Sequence, residues 1–321
     1  MTLGQFEPHA SDLAPGDRGV LDSPWSSFSI ERVTSASDPL FETVYRRLWR
    51  EFGKRGEMER RSVIAERLAW DPRRPQGGYA LMYELLVVRD GDDIVAIRDH
   101  SVILSLPLRG ASAGGAGRAD DMVVHLSHVL VEPEMRGRGV AAWLRALPIA
   151  SARRCWELAR GVASPTTWPT TSPTTWPTTW PSMPPLTLVA EMEADDGSDA
   201  VRRRLRSYAR AGFRMVDPAL VRYFQPDFRD AADIDAGALA PVPLCLVVRR
   251  VGREHENSID AAALGSIVHA LYAMFGVHVR SDHLAGAREL LLLPEDASEG
   301  EAHIPLVVPG FAPPADRRVI R

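Results

Sequence analysis

The run Arg136-Gly137-Arg138-Gly139 stands between the apolar segment Val129-Leu130-Val131 and the small apolar residues Val140 and Ala141. A strand that opens directly into a helix leaves the first N–H groups of the helix without intrahelical partners, and the helix dipole adds partial positive charge there. Glycines let a ligand approach the backbone without a Cβ in the way. The two arginines add charges that do not titrate at physiological pH. Residues of these types in this order suit phosphate, and so a nucleotide-like cofactor.

The spacing separates the classes of phosphate loop. A P-loop requires Gly-Lys-Ser/Thr, which does not follow here. A dinucleotide loop is permitted by Gly137-x-Gly139-x-x-Ala142. That fold also requires an acidic residue about 20 positions on, at the end of the next strand. The distance falls near Glu157, inside the expected helix, so the context argues against it.

The elements that must position the loop are readable from apolar periodicity. A strand is expected at 28–33, then a helix over 38–52 capped by Asp38 with Pro39 at its first position, and a second helix over 56–70. Two strands turn at Asp90-Gly91. After the glycine-rich loop 109–121, the segment 122–131 is apolar on both parities, as a single strand covered on both faces would be. Beyond the Gly/Arg loop, Val140, Trp143, Leu144 and Leu147 mark a helical stripe that Pro148 should kink or restart. A strand at 186–193, a helix placing Val201, Leu205 and Tyr208 on one face, and strands after it complete an α/β core. From about 258 to 279 the pattern is that of a long amphipathic helix, whose apolar face could cap the domain, line a pocket or pair with a second copy in a homodimer.

Composition bounds the partners. The 321 residues are 45% hydrophobic and 25% charged, with a net charge of −4, which gives no reason to expect a nucleic-acid or anionic-membrane surface. No apolar run approaches the roughly 20 residues that span a bilayer, and the polar N-terminus does not read as a signal peptide, so a cytoplasmic location is the simplest expectation. Cys155 and Cys245 are far apart and lack metal-ligand spacing, which excludes a disulfide framework and argues against a metal site. Residues 1–26, rich in Pro, Gly, Asp and Ser, read as a flexible N-terminal segment, 27–250 as the main domain and 251–321 as a C-terminal helical extension and tail. Within the main domain, 164–185 carries the octapeptide SPTTWPTT twice in tandem, then WPSMPP. It has neither helical nor strand period and reads as an exposed insertion.

With these elements in place, VEPEMRGRGVA resembles the acyl-coenzyme A pyrophosphate loop of the GNAT (GCN5-related) N-acetyltransferases, in which a strand is followed by Arg/Gln-x-x-Gly-x-Gly/Ala opening a helix. The matching positions are Arg136, Gly139 and Ala141. YARAGFRMV resembles the family's later Tyr-x-x-x-Gly-Phe element, through Tyr208, Gly212 and Phe213. The resemblance spans roughly residues 28 to 250 and implies a mixed, mostly antiparallel central sheet flanked by helices.

It further implies acetyl-CoA as co-substrate and direct transfer of acetyl to an amine, whether of a small molecule or a peptide. Main-chain groups near Val129, Leu130 and Val131 would hold the pantetheine. The N–H groups from Arg136 through Gly137, Arg138, Gly139 and Val140 to Ala141 would hold the pyrophosphate. Relatives often keep a Glu or His on the central strand, eleven residues before the loop's Arg/Gln; here that position is His125. An imidazole with an ordinary pKa near 6.5 suits a general base. His128, expected on the opposite strand face, is the lesser candidate, and Glu191 and Glu193 are alternatives should the base be a carboxylate. Tyr208 matches the tyrosine that protonates the departing thiolate. The chain departs from the family where Asn and Ala often precede that tyrosine by seven and four residues; Val201 and Arg204 stand there. An acyl-CoA sensor on the same fold is the competing function, and it would keep its function with His125 and Tyr208 replaced.

Overall fold

The computed structural model describes residues 10–22, 28–53, 56–106, 121–161, 183–293 and 303–310. The glycine-rich loop and the octapeptide repeat lie largely outside them. The chain builds a mixed, mostly antiparallel sheet with helices on both faces.

Strand β1 (Phe28–Val33) pairs with β2 (Tyr79–Asp90), which forms a long hairpin with β3 (Asp93–Ser105). Both hairpin strands are buried on both faces for most of their length, including the polar run Arg98-Asp99-His100-Ser101 at the centre of β3. Between β1 and β2 run α1 (Phe41–Glu51) and α2 (Arg61–Arg67). Both are shorter than the sequence suggests. Asp38 does not cap α1; its carboxylate accepts from the N–H groups of Leu40 and Thr34 and closes the turn that precedes the helix.

The expected single strand over 122–131 is two strands. β4 (Met122–His125) pairs with β3 in the register Ser101↔His125, whereas β5 (Val129–Val131) pairs with β3 in the register Arg98↔Val129. The two registers differ by one residue, so the break at 126–128 is a bulge. It has a direct consequence for side-chain direction. His125 stands opposite Ser101 and His128 opposite Asp99, and these two β3 residues share a face. His128 therefore lies on the same face as His125, against the simple alternation expected from the sequence.

A 3-10 turn (Pro133–Met135), plugged into the core by Met135, leads to the Gly/Arg loop and α3 (Val140–Arg160). Helix α3 runs through Pro148 without a restart. Every residue from Ala142 to Ile149 is buried, and that packing outweighs the about 3 kcal/mol that an interior proline costs. The chain returns through β6 (Leu186–Met192), parallel to β4, then α4 (Asp199–Arg210) capped by Ser198, and β7 (Arg214–Val216). Next come β8 (Tyr223–Gln225), α5 (Ala231–Ala236) and β9 (Val242–Arg250), the last pairing with β6, β7 and β8.

The remaining segment is integral to this sheet. β10 (Ser258–Asp260) and β11 (His303–Val307) extend it beyond β7, with α6 (Ala261–Phe275) and α7 (Ser281–Leu290) packed on one face. The long helix expected over 258–279 thus begins only after a short strand, with Asp260 as its cap. On that same face lie α1 and α2; the opposite face carries α3 and α4.

Residues 10–22, expected to be loose, form two 3-10 turns docked beside α3. Asp12 takes both terminal nitrogens of Arg153, and Asp17 takes the Nε and Nη2 atoms of Arg145 at 2.8–3.1 Å. Leu13 and Ala14 are buried beneath these ion pairs. Arg145 also reaches Ser207 of α4, so one guanidinium ties the N-terminal segment to both helices.

Candidate functional site

The bulge creates an opening in the sheet. The parallel pairing of β4 with β6 ends at His125↔Val189, followed by one bond from the Leu126 N–H to the Val189 carbonyl at 2.7 Å. From there β5 stays with β3 while β6 stays with β9, and the two strands diverge. The ladder bonds that flank β5 join Asp99 to His128 and Glu132 to Val95. Antiparallel pairing alternates, so the main-chain groups of Val129 and Val131 point away from β3, into the wedge that β6 has vacated. Leu130 in that alternation turns its main-chain groups toward β3, and its side chain packs toward α1.

The Gly/Arg loop lies at the mouth of this wedge. Gly137 and Gly139 adopt φ of 80° and 81°, the left-handed region that favours glycine. The N–H groups of Arg136 and Arg138 turn inward, to the Pro133 and Met135 carbonyls. Those of Gly137, Gly139, Val140 and Ala141 have no acceptor among the described residues. Four donors thus lie at or just before the positive end of a 21-residue helix, with the exposed Arg136 and Arg138 among them. The Arg136 Nε atom is held by the Val131 carbonyl at 3.1 Å, which connects the loop to the wedge.

On the α6 face, His125 and Glu191 form a buried pair, Nε2 to Oε2 at 2.7 Å. The other ring nitrogen, Nδ1, meets the Ser127 hydroxyl at 3.2 Å. With the Nε2 proton given to the carboxylate, Nδ1 carries the lone pair and Ser127 donates to it. The ring is seated edge-on against Phe275, centroids 5.5 Å apart. Tyr223 and Tyr272 stack at 5.6 Å beside Glu191. Burial first, and the Glu191 charge second, push both phenols above their usual range, so each keeps its proton. Glu193 takes no part: it lies past the end of β6 and pairs with Arg204 of α4 at 3.1 Å.

His128 is committed elsewhere. Its Nδ1 atom faces Asp99 at 3.0 Å, its N–H donates to the same carboxylate at 2.7 Å, and its Nε2 donates to the Glu57 carbonyl at 3.1 Å. Tyr83 completes the shell of Asp99 at 2.8 Å. Burial alone would lower the His128 pKa, but the Asp99 charge and hydrogen bond raise it to about 9. Burial likewise opposes the ionised Asp99, and the His128 charge with its hydrogen bonds brings it down to about 2. A charged, doubly bonded imidazolium cannot accept a proton, so His128 fastens the bulge rather than acting as a base.

This pair makes stability depend on pH. The raised His128 pKa contributes stability that is full below its unfolded value near 6.5 and lost as pH rises through about 9. The depressed Asp99 pKa contributes stability lost only in acid, as pH falls toward about 2. Urea unfolding between pH 6 and 10 should show stability falling on the order of a few kcal/mol across that window. The slope should be shallower in Asp99→Asn, in which His128 loses the strongest of the groups that raise its pKa; equal slopes would contradict the assignment.

Tyr208 lies on the other face of the sheet, packed among Val201, Leu205 and Phe213, with the Phe213 ring edge-on at 4.9 Å. Both cysteine thiols are buried and raised in pKa by burial, which makes them poor nucleophiles.

Sequence reading singled out the loop, His125 and Glu191 as candidates but not Ser127, Tyr223 or Phe275. The hydroxyl of Ser127 matters only because the bulge turns it toward Nδ1, and the aromatic residues reach the site from far along the chain.

No family model matches the chain, and no curated protein matches it. Among solved structures, yncA from Salmonella typhimurium, a candidate acetyltransferase determined with its cofactor acetyl-CoA, matches over 70% of this chain and 94% of its own, at 16% identity and a TM-score of 0.34. An acetyltransferase from Streptococcus agalactiae matches over 70% and 99%, at 10% identity and the same TM-score of 0.34. An uncharacterised protein from Bacillus halodurans matches over 71% and 86%, at 12% identity and a TM-score of 0.27. Among the described residues no helix is long and apolar enough to cross a membrane.

Proposed function

We propose that the protein is an acetyl-CoA-dependent N-acetyltransferase that moves acetyl directly to a primary amine. The observation that carries this reading is the row of four free N–H groups at the start of α3, set at the mouth of the wedge between β5 and β6. Helix amides aimed outward beside two arginines suit a pyrophosphate. The main-chain groups of Val129 and Val131 suit an extended, amide-bearing arm laid between the strands as a third partner. Acetyl-CoA has both parts, with its thioester at the far end of the arm.

The amine approaches from the α6 face. It must be neutral to attack, and the proton it sheds as the C–N bond forms needs an acceptor. His125 Nδ1 is that acceptor, directly or through the Ser127 hydroxyl, which would give its proton to Nδ1 and take one from nitrogen. Glu191 fixes the ring tautomer through Nε2 and stabilises the imidazolium that results. The electron pair of the broken C–S bond stays on sulfur, and the Tyr208 hydroxyl, on the opposite face, is the proton source for the thiolate.

Calorimetric titration of the purified protein tests the reading at its base. Acetyl-CoA should bind saturably, and NADH should not. Binding of NADH in its place would return the loop to dinucleotide chemistry.

A further inference from the structure

We propose that the acceptor is an amine that also carries a carboxylate, and that Arg67 receives that carboxylate. The inference rests on the acetyltransferase reading above and names the substrate class of the same site. Arg67 ends α2, and its side chain is only 1% exposed. Glu59 pairs with its Nη2 atom, while Nε and Nη1 are buried without a hydrogen-bond partner among the described residues. Burying a guanidinium is expensive, and a single carboxylate does not satisfy its five N–H donors. Two buried charged donors are left over on different sides of the guanidinium, and each can take an anionic oxygen.

The placement connects this arginine with the proposed chemistry. Its guanidinium lies 5.5 Å from the Trp70 ring and 6.0 Å from the Phe275 ring. Phe275 is also the ring against which His125 is seated, and His125 holds Glu191. One aromatic side chain of α6 therefore touches both the proposed base and the unsatisfied cation. A molecule bound along Phe275 would present its amine to His125 and its carboxylate to Arg67. Glu59 occupies only Nη2 of Arg67, so a carboxylate would meet the remaining donors without displacing that ion pair. A neutral amine or a cationic polyamine would leave both donors buried and unused, which is the larger penalty.

The test is thiol release from acetyl-CoA with the common amino acids, each measured beside its own carboxamide. At least one amino acid should react with a KM about tenfold to a hundredfold below that of its carboxamide, the range set by a charge-assisted hydrogen bond. In Arg67→Met that preference should vanish through KM, with acetyl-CoA binding by calorimetry unchanged. Arg67→Lys, which keeps the charge and the fold should the methionine variant prove unstable, should retain part of it. Carboxamides accepted as readily as acids would overturn the inference, as would acetyl-CoA binding with no member of the panel acetylated. Failure to bind acetyl-CoA at all would instead overturn the function on which it rests.

Discussion

Gly139→Asp should lose saturable acetyl-CoA binding while the protein stays folded. Gly139 has φ of 81°, and aspartate is among the few side chains that tolerate that region, so the backbone survives the change. The new carboxylate, however, stands among the free N–H groups of Gly137, Val140 and Ala141, where the phosphates are proposed to lie. Two unit charges 4 Å apart repel by about 4 kcal/mol at an effective dielectric constant of 20, roughly a thousandfold in affinity. Gly139→Asn separates charge from shape: it has the same size and the same tolerance of positive φ, and it should weaken binding by about tenfold or less. Both variants are measured by calorimetry, with circular dichroism as the check on folding. Tight binding by the aspartate variant would remove the loop from the site.

The second large effect is on turnover. His125→Ala should lower kcat by about a hundredfold to ten-thousandfold, the usual contribution of a positioned base, and leave acetyl-CoA affinity intact. Its neighbour gives the finer prediction. Glu191→Gln preserves a hydrogen-bonding group at Nε2 but removes the charge that holds the tautomer and stabilises the imidazolium. It should therefore depress kcat less than loss of the ring does. Unchanged turnover in His125→Ala would move the base to a water chain or to another residue.

How much of this was legible in the sequence follows from the range of each interaction. The Gly/Arg loop could be read because its chemistry is local: glycines at positive φ, fixed positive charge and the start of a helix all lie within a few consecutive residues. β1 could be read to its ends because alternation and flanking turns suffice. The bulge at 126–128 could not. A one-residue slip between β4 and β5 leaves the apolar pattern intact, yet it moves His128 to the other face and brings Ser127 to His125. The docking of residues 10–22 was hidden for a different reason. Its aspartates look like those of any polar tail until Arg145 and Arg153, more than a hundred residues away, are placed opposite them. Arg67 carries no local mark of its burial, since nothing nearby in sequence shows that a ring of α6 will lie against it.

The division of labour along the chain has an evolutionary consequence. The proposed cofactor-binding residues and His125, from β4 through the first turn of α3, come from one contiguous stretch and are joined by Glu191 and Tyr208, whereas Glu59, Arg67, Tyr223, Tyr272 and Phe275 are drawn from other segments. Mutational drift in those other segments could then redirect which molecule is modified while the chemistry of transfer is inherited unchanged. A lineage built this way can diversify its targets one wall at a time.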